Sequence, residues 1–273
     1  MLTNDDGWNS VGLLASWHSV RDLAPVTVVA PGSHMSGVGK ATTILRPISL
    51  RRFILEEMEG YRIDGTPADC VNIGVHKLLP APPALLVSGI NLGPNLGLDD
   101  LTSSGTMGAC LQAAMYGVPS VCISYCLQDY SREITLEELS MGGAVLSSIA
   151  GWILRNGMPR GVDVVVASVP ECRGIPPEVR ETRLAISPLP DIYEEKPGGT
   201  YGFLPRTLDF YDGEGEDTDV TAIKEGCISI ASFSLNSLIE RKHYLEEMAI
   251  FIGNGLEATP RSGASRTPHQ PGP

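Results

Sequence analysis

The chain has 273 residues, 42% hydrophobic and 19% charged, with a formal net charge of −12. That length suits one large core or one domain with a smaller appendage, and the composition excludes a disordered chain. The acidic balance argues against nucleic acid as a partner, because phosphate backbones are bound by basic stripes.

No stretch approaches the ~20 apolar residues of a membrane span. The start turns polar and acidic within four residues and reads as no signal peptide. These features lead us to expect a cytoplasmic protein with no membrane partner.

In chain order, Met1-Leu2-Thr3 reads as a strand stub, followed by the turn Asn4-Asp5-Asp6-Gly7. Leu13, Trp17, Val20 and Ala24 then recur at helical spacing. The runs Val26–Ala30, Ala84–Ser88, Ser120–Ser124 and Val162–Val166 read as strands. Their unbroken, largely β-branched character suits strands covered on both faces, as in a parallel α/β sheet.

Between them, Thr66-Pro67-Ala68-Asp69 has a capping Thr, Pro at the first helical position and an acid at the third. A small-residue helix is expected over Thr106–Tyr116. A longer one is expected from Thr135, with Glu138 completing a capping box, to a stop at Asn156-Gly157.

After about Pro170 prolines and glycines thicken. There Asp219–Ile223 and Cys227–Ile230 read as a strand pair around Lys224-Glu225-Gly226, in a β-rich extension too thin for its own core. From Glu257 onward a frayed tail is expected. The six cysteines show no metal or CxxC spacing and read as buried free thiols.

Ligands of an open parallel sheet bind beyond the carboxyl ends of its strands. The segments expected there are Asn4–Gly7, Pro31–Gly37, Gly89–Asn95 and, at a helix start, Ser103-Ser104-Gly105-Thr106. All carry small oxygen-bearing side chains and glycines. Carboxylate, hydroxyl and amide oxygens suit Mg²⁺ or Mn²⁺ better than zinc, and adjacent Asp5 and Asp6 can each direct an oxygen to one ion. Ser104, Gly105 and Thr106 at a helix N-terminus offer what a phosphate requires. A metal beside a phosphate pocket implies phosphoryl chemistry.

Other motifs fail. A Walker loop ending at Gly39-Lys40 would need Gly where His34 stands and Ser or Thr where Ala41 stands. No GxSxG elbow exists. Asp5-Asp6 is not the DxD pattern of enzymes that form an aspartyl-phosphate. Of five scattered histidines, His34 alone falls in these loops and reads as a neutral loop residue.

The motifs Thr3-Asn4-Asp5-Asp6-Gly7, Val28-Val29-Ala30-Pro31 with Ser36-Gly37, and Gly65-Thr66-Pro67-Ala68-Asp69-Cys70 recur in one family. So do Ser88-Gly89-Ile90-Asn91 with Gly93-Pro94-Asn95, Ser104-Gly105-Thr106, and late Thr218-Asp219-Val220 with Glu225-Gly226. In this order, over roughly residues 2–238, they resemble the SurE (survival protein E) nucleotidases.

The resemblance implies a Rossmann-like parallel sheet sandwiched by helices, with a β-hairpin and C-terminal extension used in oligomerisation, as a homodimer or homotetramer. On it we expect a catalytic domain over residues 1–170, a β-rich extension with a C-terminal helix over 171–256, and a flexible tail over 257–273. It also implies hydrolysis of nucleoside 5′- and 3′-monophosphates by water activated at one divalent ion, Mg²⁺ or Mn²⁺. The implied metal ligands are Asp5, Asp6, Ser36 and Asn91. The expected catalytic residues are Asp5, Asp6 and Asn91, and the expected substrate contacts are Asn4, Gly37, Asn95, Ser104, Gly105 and Thr106. Two rival readings are a nucleotide-sensing module that does not hydrolyse its ligand and a purely structural oligomer.

Overall fold

The computed structural model describes residues 1–127, 132–172, 176–188, 191–204, 208–211, 215–236 and 248. Nearly all of these fall in one compact unit, Met1–Leu235. The C-terminal helix expected before residue 257 and the tail after it lie outside the described residues, apart from Met248, which is helical.

The strands are β1 (Leu2–Thr3), β2 (Val28–Pro31), β3 (Leu50–Leu55), β4 (Met58–Ile63), β5 (Leu86–Leu92), β6 (Ser120–Cys126), β7 (Val164–Pro170), β8 (Val179–Thr182), β9 (Tyr193–Lys196), β10 (Thr200–Phe203) and β11 (Ile228–Phe233). The helices are α1 (Val11–Val20), α2 (Pro67–Ile73), α3 (Gly97–Ser103), α4 (Gly105–Ala114), α5 (Ser140–Asn156) and α6 (Asp219–Lys224).

Among the described residues, nine strands form one sheet in the order β3-β4-β2-β1-β5-β6-β7-β11-β8. The block from β4 to β7 is parallel. β3 is antiparallel at one edge and β11 antiparallel to β7 near the other. β9 and β10 form a separate hairpin.

The continuous apolar runs divide their side chains between two faces with a period of two. Val87, Val121 and Ile123 join Leu13, Leu14, Leu146 and Ile153 of α1 and α5 in one core cluster. Leu86, Cys122 and Val166 join Val71, Met107, Cys110 and Ala113 of α2 and α4 in the other. Both faces of the central sheet are therefore covered. Cys70, Cys110, Cys122, Cys126 and Cys227 are buried free thiols, and Cys172 is a half-buried one.

The chain runs from β1 outward to β2 and β4, then returns to β5 on the other side of β1. The strand order therefore reverses between β1 and β5, and a crevice opens at such a switch point beyond the strand ends.

The expected strand Asp219–Ile223 is instead helix α6. Thr218 caps it by accepting the Thr221 amide, and Val220, Ala222 and Ile223 are buried. The apolar pair three residues apart follows helical rather than strand period. The helix expected from Thr135 begins at Ser140, because the reciprocal Thr135–Glu138 bonds close a turn one step earlier. β5 continues through Leu92 rather than ending at Ser88. Pairing with β6 resumes at Asn91 and Leu92 after a register shift, so Asn91 stands on a strand and not in a loop.

Candidate active site

β1 is only two residues long but lies between β2 and β5, so Asp5 and Asp6 follow it directly into the crevice. Gly7 turns the chain there with φ +108°. Asn4 holds the turn, its Nδ2 donating to the Gly7 carbonyl (3.1 Å) and to Ser10 Oγ (2.7 Å).

Asp5 is buried. Its Oδ1 accepts the Thr106 hydroxyl at 2.6 Å, and its carbonyl accepts the Met35 amide at 2.7 Å. A Cβ on residue 105 would lie 2.8 Å from Asp5 Cβ and 3.0 Å from Oδ2, so glycine there lets the start of α4 settle onto this carboxylate. The helix start carries partial positive charge and suits an anion.

Asp6 Oδ2 accepts the Leu92 amide at 3.3 Å, and its Oδ1 lies 3.4 Å from His34 Nδ1. Burial raises the Asp5 carboxyl above the ordinary carboxylate range, and the hydroxyl and amide of Thr106 pull it partly back. Burial first, and the Asp5 charge second, push Asp6 up to about 8. A buried carboxylate whose charge penalises ionisation of a largely buried neighbour forms a place where a cation is strongly favoured.

The neighbouring donors complete an oxygen-rich rim. Asn91 Nδ2 donates to the Gly93 carbonyl at 2.9 Å, leaving its side-chain oxygen as an acceptor. Asn91 follows the bulge at Gly89, whose φ is +125° and where any Cβ would collide with the Ile123 carbonyl, so only glycine fits this bend. Asn95 Nδ2 donates to Ser124 Oγ at 2.8 Å, leaving a second amide proton. Ser104 Oγ caps α4 by accepting the Met107 amide, leaving its hydroxyl proton to donate. Ser36 and Gly37 lie exposed in the turn after Met35, which the Met35–Asp5 bond ties to this rim.

Among the described residues no three His, Cys, Asp or Glu side chains converge as a metal cluster. The set here is two carboxylates with amide and hydroxyl oxygens. These hard donors fit Mg²⁺ or Mn²⁺ and not zinc.

The family model for survival protein SurE matches residues 1–187. The chain belongs to the SurE family. Its relatives include the 5′-nucleotidase SurE of Methanococcoides burtonii, 35% identical over 247 residues that cover 87% of this chain and 93% of that protein. The 5′-nucleotidase SurE of Archaeoglobus fulgidus is 36% identical over 246 residues, covering 86% and 91%. The crystal structure of the SurE protein from Aquifex aeolicus superposes with a TM-score of 0.73 at 29% identity, covering 92% of this chain and 98% of that one.

In this SurE chain eight of the expected residues fall into two groups, while Ser36 and Gly37 stand apart in the exposed turn. Asp5, Thr106 and Gly105 meet directly, and Asp6 is joined to β5 beside Asn91. Asn4, Asn95 and Ser104 have internal partners that shape the loops. Sequence reasoning missed Ser124, the Leu92 amide and the Met35 amide. Two of the three act through the backbone, which leaves no residue-type signal.

Proposed function

We propose that this SurE chain is a metal-dependent phosphomonoesterase that hydrolyses nucleoside 5′-monophosphates, and 3′-monophosphates as well. The supporting observation is the adjacent Asp5–Asp6 pair at the sheet's switch point, with Asp5 buried directly against the N-terminus of α4. The names of its relatives, 5′-nucleotidase SurE, point the same way.

Asp5, Asp6, Ser36 and Asn91 would hold one divalent ion. Bound there, such an ion polarises a phosphoryl oxygen and eases ionisation of a water. The chain's own groups then do the rest. Gly105, at the head of α4, faces the non-bridging oxygens, with the Ser104 hydroxyl and the spare Asn95 amide proton as further donors. Thr106 holds Asp5 in one orientation through its hydroxyl. One of the two aspartates would take the proton from the attacking water.

The test is phosphate release from 5′-AMP and 3′-AMP with Mg²⁺ or Mn²⁺, with and without EDTA. Release that EDTA abolishes is expected. AMP binding without release would instead identify a sensing module. We also assign the exposed hairpin of β9 and β10 to self-association as a homodimer or homotetramer. Its support is the exposed aromatic trio Tyr193, Tyr201 and Phe203, and sedimentation at micromolar concentration tests it.

A further inference from the structure

The loop after Ser36 is anchored on both sides of Lys40, a cation with no partner among the described residues. On the near side, the Gly39 amide donates to the Ser103 carbonyl at 2.7 Å. The Gly39 carbonyl sits so close to Gly108 that any Cβ at 108 would collide with it. On the far side, the Ala41 carbonyl accepts the Thr66 hydroxyl at 2.6 Å, and the Thr43 amide donates to both Asp69 oxygens at 3.1 Å. Asp69 is itself fixed in the capping box of α2.

Lys40 stands between these anchors. Its Cα lies 3.0 Å from where a Gly108 Cβ would be, and its side chain is exposed. Gly108 belongs to the first turn of α4 and Gly105 opens that helix. The two are separated by ~5 Å along the axis, less than one turn and within reach of a flexible four-carbon stem. Two cations further along the chain have partners of their own. Arg46 pairs with Asp64 at 2.8 Å, and the Arg62 guanidinium lies 4.9 Å from the centre of the Trp8 ring. Lys40 makes no hydrogen bond or ion pair with any described residue.

We propose that Lys40 is a substrate-binding residue whose ammonium contacts the phosphoryl dianion at the first turn of α4. The inference rests on the phosphomonoesterase reading above. A divalent ion balances only the two aspartates, so an incoming dianion on this acidic chain still lacks a counter-charge. A flexible ammonium on a fixed backbone supplies one. It attracts the dianion in the ground state and the transition state alike, so it lowers KM without raising kcat.

The test is Lys40→Gln and Lys40→Arg in the full chain with Mn²⁺. K40Q is expected to raise KM about tenfold with kcat within about twofold, the pattern of lost uniform binding. The factor should be equal for 5′-AMP, 5′-GMP and p-nitrophenyl phosphate, and added salt should depress kcat/KM less than in the parent. K40R should restore most of the affinity. An unchanged KM, a fall in kcat alone, or an effect confined to one base would overturn the assignment. Calorimetry with inorganic phosphate and Mn²⁺ reads the same contact without turnover. Binding should weaken about tenfold in K40Q, and equal binding would refute the contact. If the parent chain releases no phosphate from any ester, the enzymatic reading fails on its own, and the phosphate titration still decides the role of Lys40.

Discussion

Replacing Asp6 by Asn should separate stability from activity. The Asp6 carboxyl is pushed up to about 8 by burial and by the Asp5 charge, so the folded chain holds a proton there that the unfolded chain has released. An acid raised in the folded state penalises folding as pH climbs from its unfolded value to its folded one. The penalty is therefore absent below pH ~4 and complete above pH ~8. At 1.36 kcal/mol per unit, it amounts at pH 7 to on the order of 2–4 kcal/mol in the metal-free protein.

The amide keeps the acceptor for the Leu92 N–H and removes the charge. D6N should then melt roughly 5–10 °C above the parent in EDTA at pH 8, given ~2–4 °C per kcal/mol for chains of this size. The gain should shrink toward zero near pH 4. With Mn²⁺ the order should reverse, because ligand binding stabilises only the chain that binds, and phosphate release from AMP should be lost. Thermal unfolding followed by circular dichroism from pH 4 to 9, with and without Mn²⁺, makes the comparison. A D6N variant that melts at or below the parent in EDTA at pH 8 would refute the account of a carboxyl raised by burial and by its neighbour's charge.

Gly105→Ala puts a Cβ 2.8 Å from Asp5 Cβ and 3.0 Å from the Met35 carbonyl. Turnover should fall at least a hundredfold while far-UV circular dichroism stays native. Thr106→Val removes the 2.6 Å hydroxyl donor to Asp5 and should weaken Mn²⁺ binding ~10–100-fold, the usual cost of losing a partner that orients a ligand, as read by calorimetry. Manganese binding at pH 7 should release protons, since the raised Asp6 carboxyl must ionise to bind. Titrations in buffers of different ionisation enthalpy measure this, and no buffer dependence would contradict it. Asp219→Ala strands the amides of Gly97, Ala185 and Val220 and should cost ~3 kcal/mol in urea unfolding, at ~1 kcal/mol for each lost bond.

The central strands are legible in the sequence because their apolar runs have no other use than burial on two faces. α2 is legible because Thr66, Pro67 and Asp69 carry its start in side chains. The antiparallel pair β3 and β4 is not. Its two-residue turn is Glu56-Glu57, with Glu56 at φ +53°, instead of the glycine or asparagine that announces such a turn. α3 is hidden for a similar reason, since Leu96 at its N-cap has no side-chain acceptor. The paired aspartates are visible as adjacent acids in a turn, but the burial of Asp5 against α4 is not. It depends on Gly105, whose lack of a side chain reads as flexibility when it serves close approach.

The missing cap of α3 is supplied from far along the chain. Asp219 accepts the Gly97 amide at 2.8 Å across 122 residues, and the Ala185 carbonyl accepts the Leu98 amide at 2.8 Å. α3 leads straight into Ser104 and Gly105. A nascent chain of which only the first two-thirds has emerged therefore lacks the carboxylate that caps α3. The head of α3 is thus completed by one of the last elements of the domain to be made, and a product cut short before α6 would leave the Gly97 amide without its carboxylate.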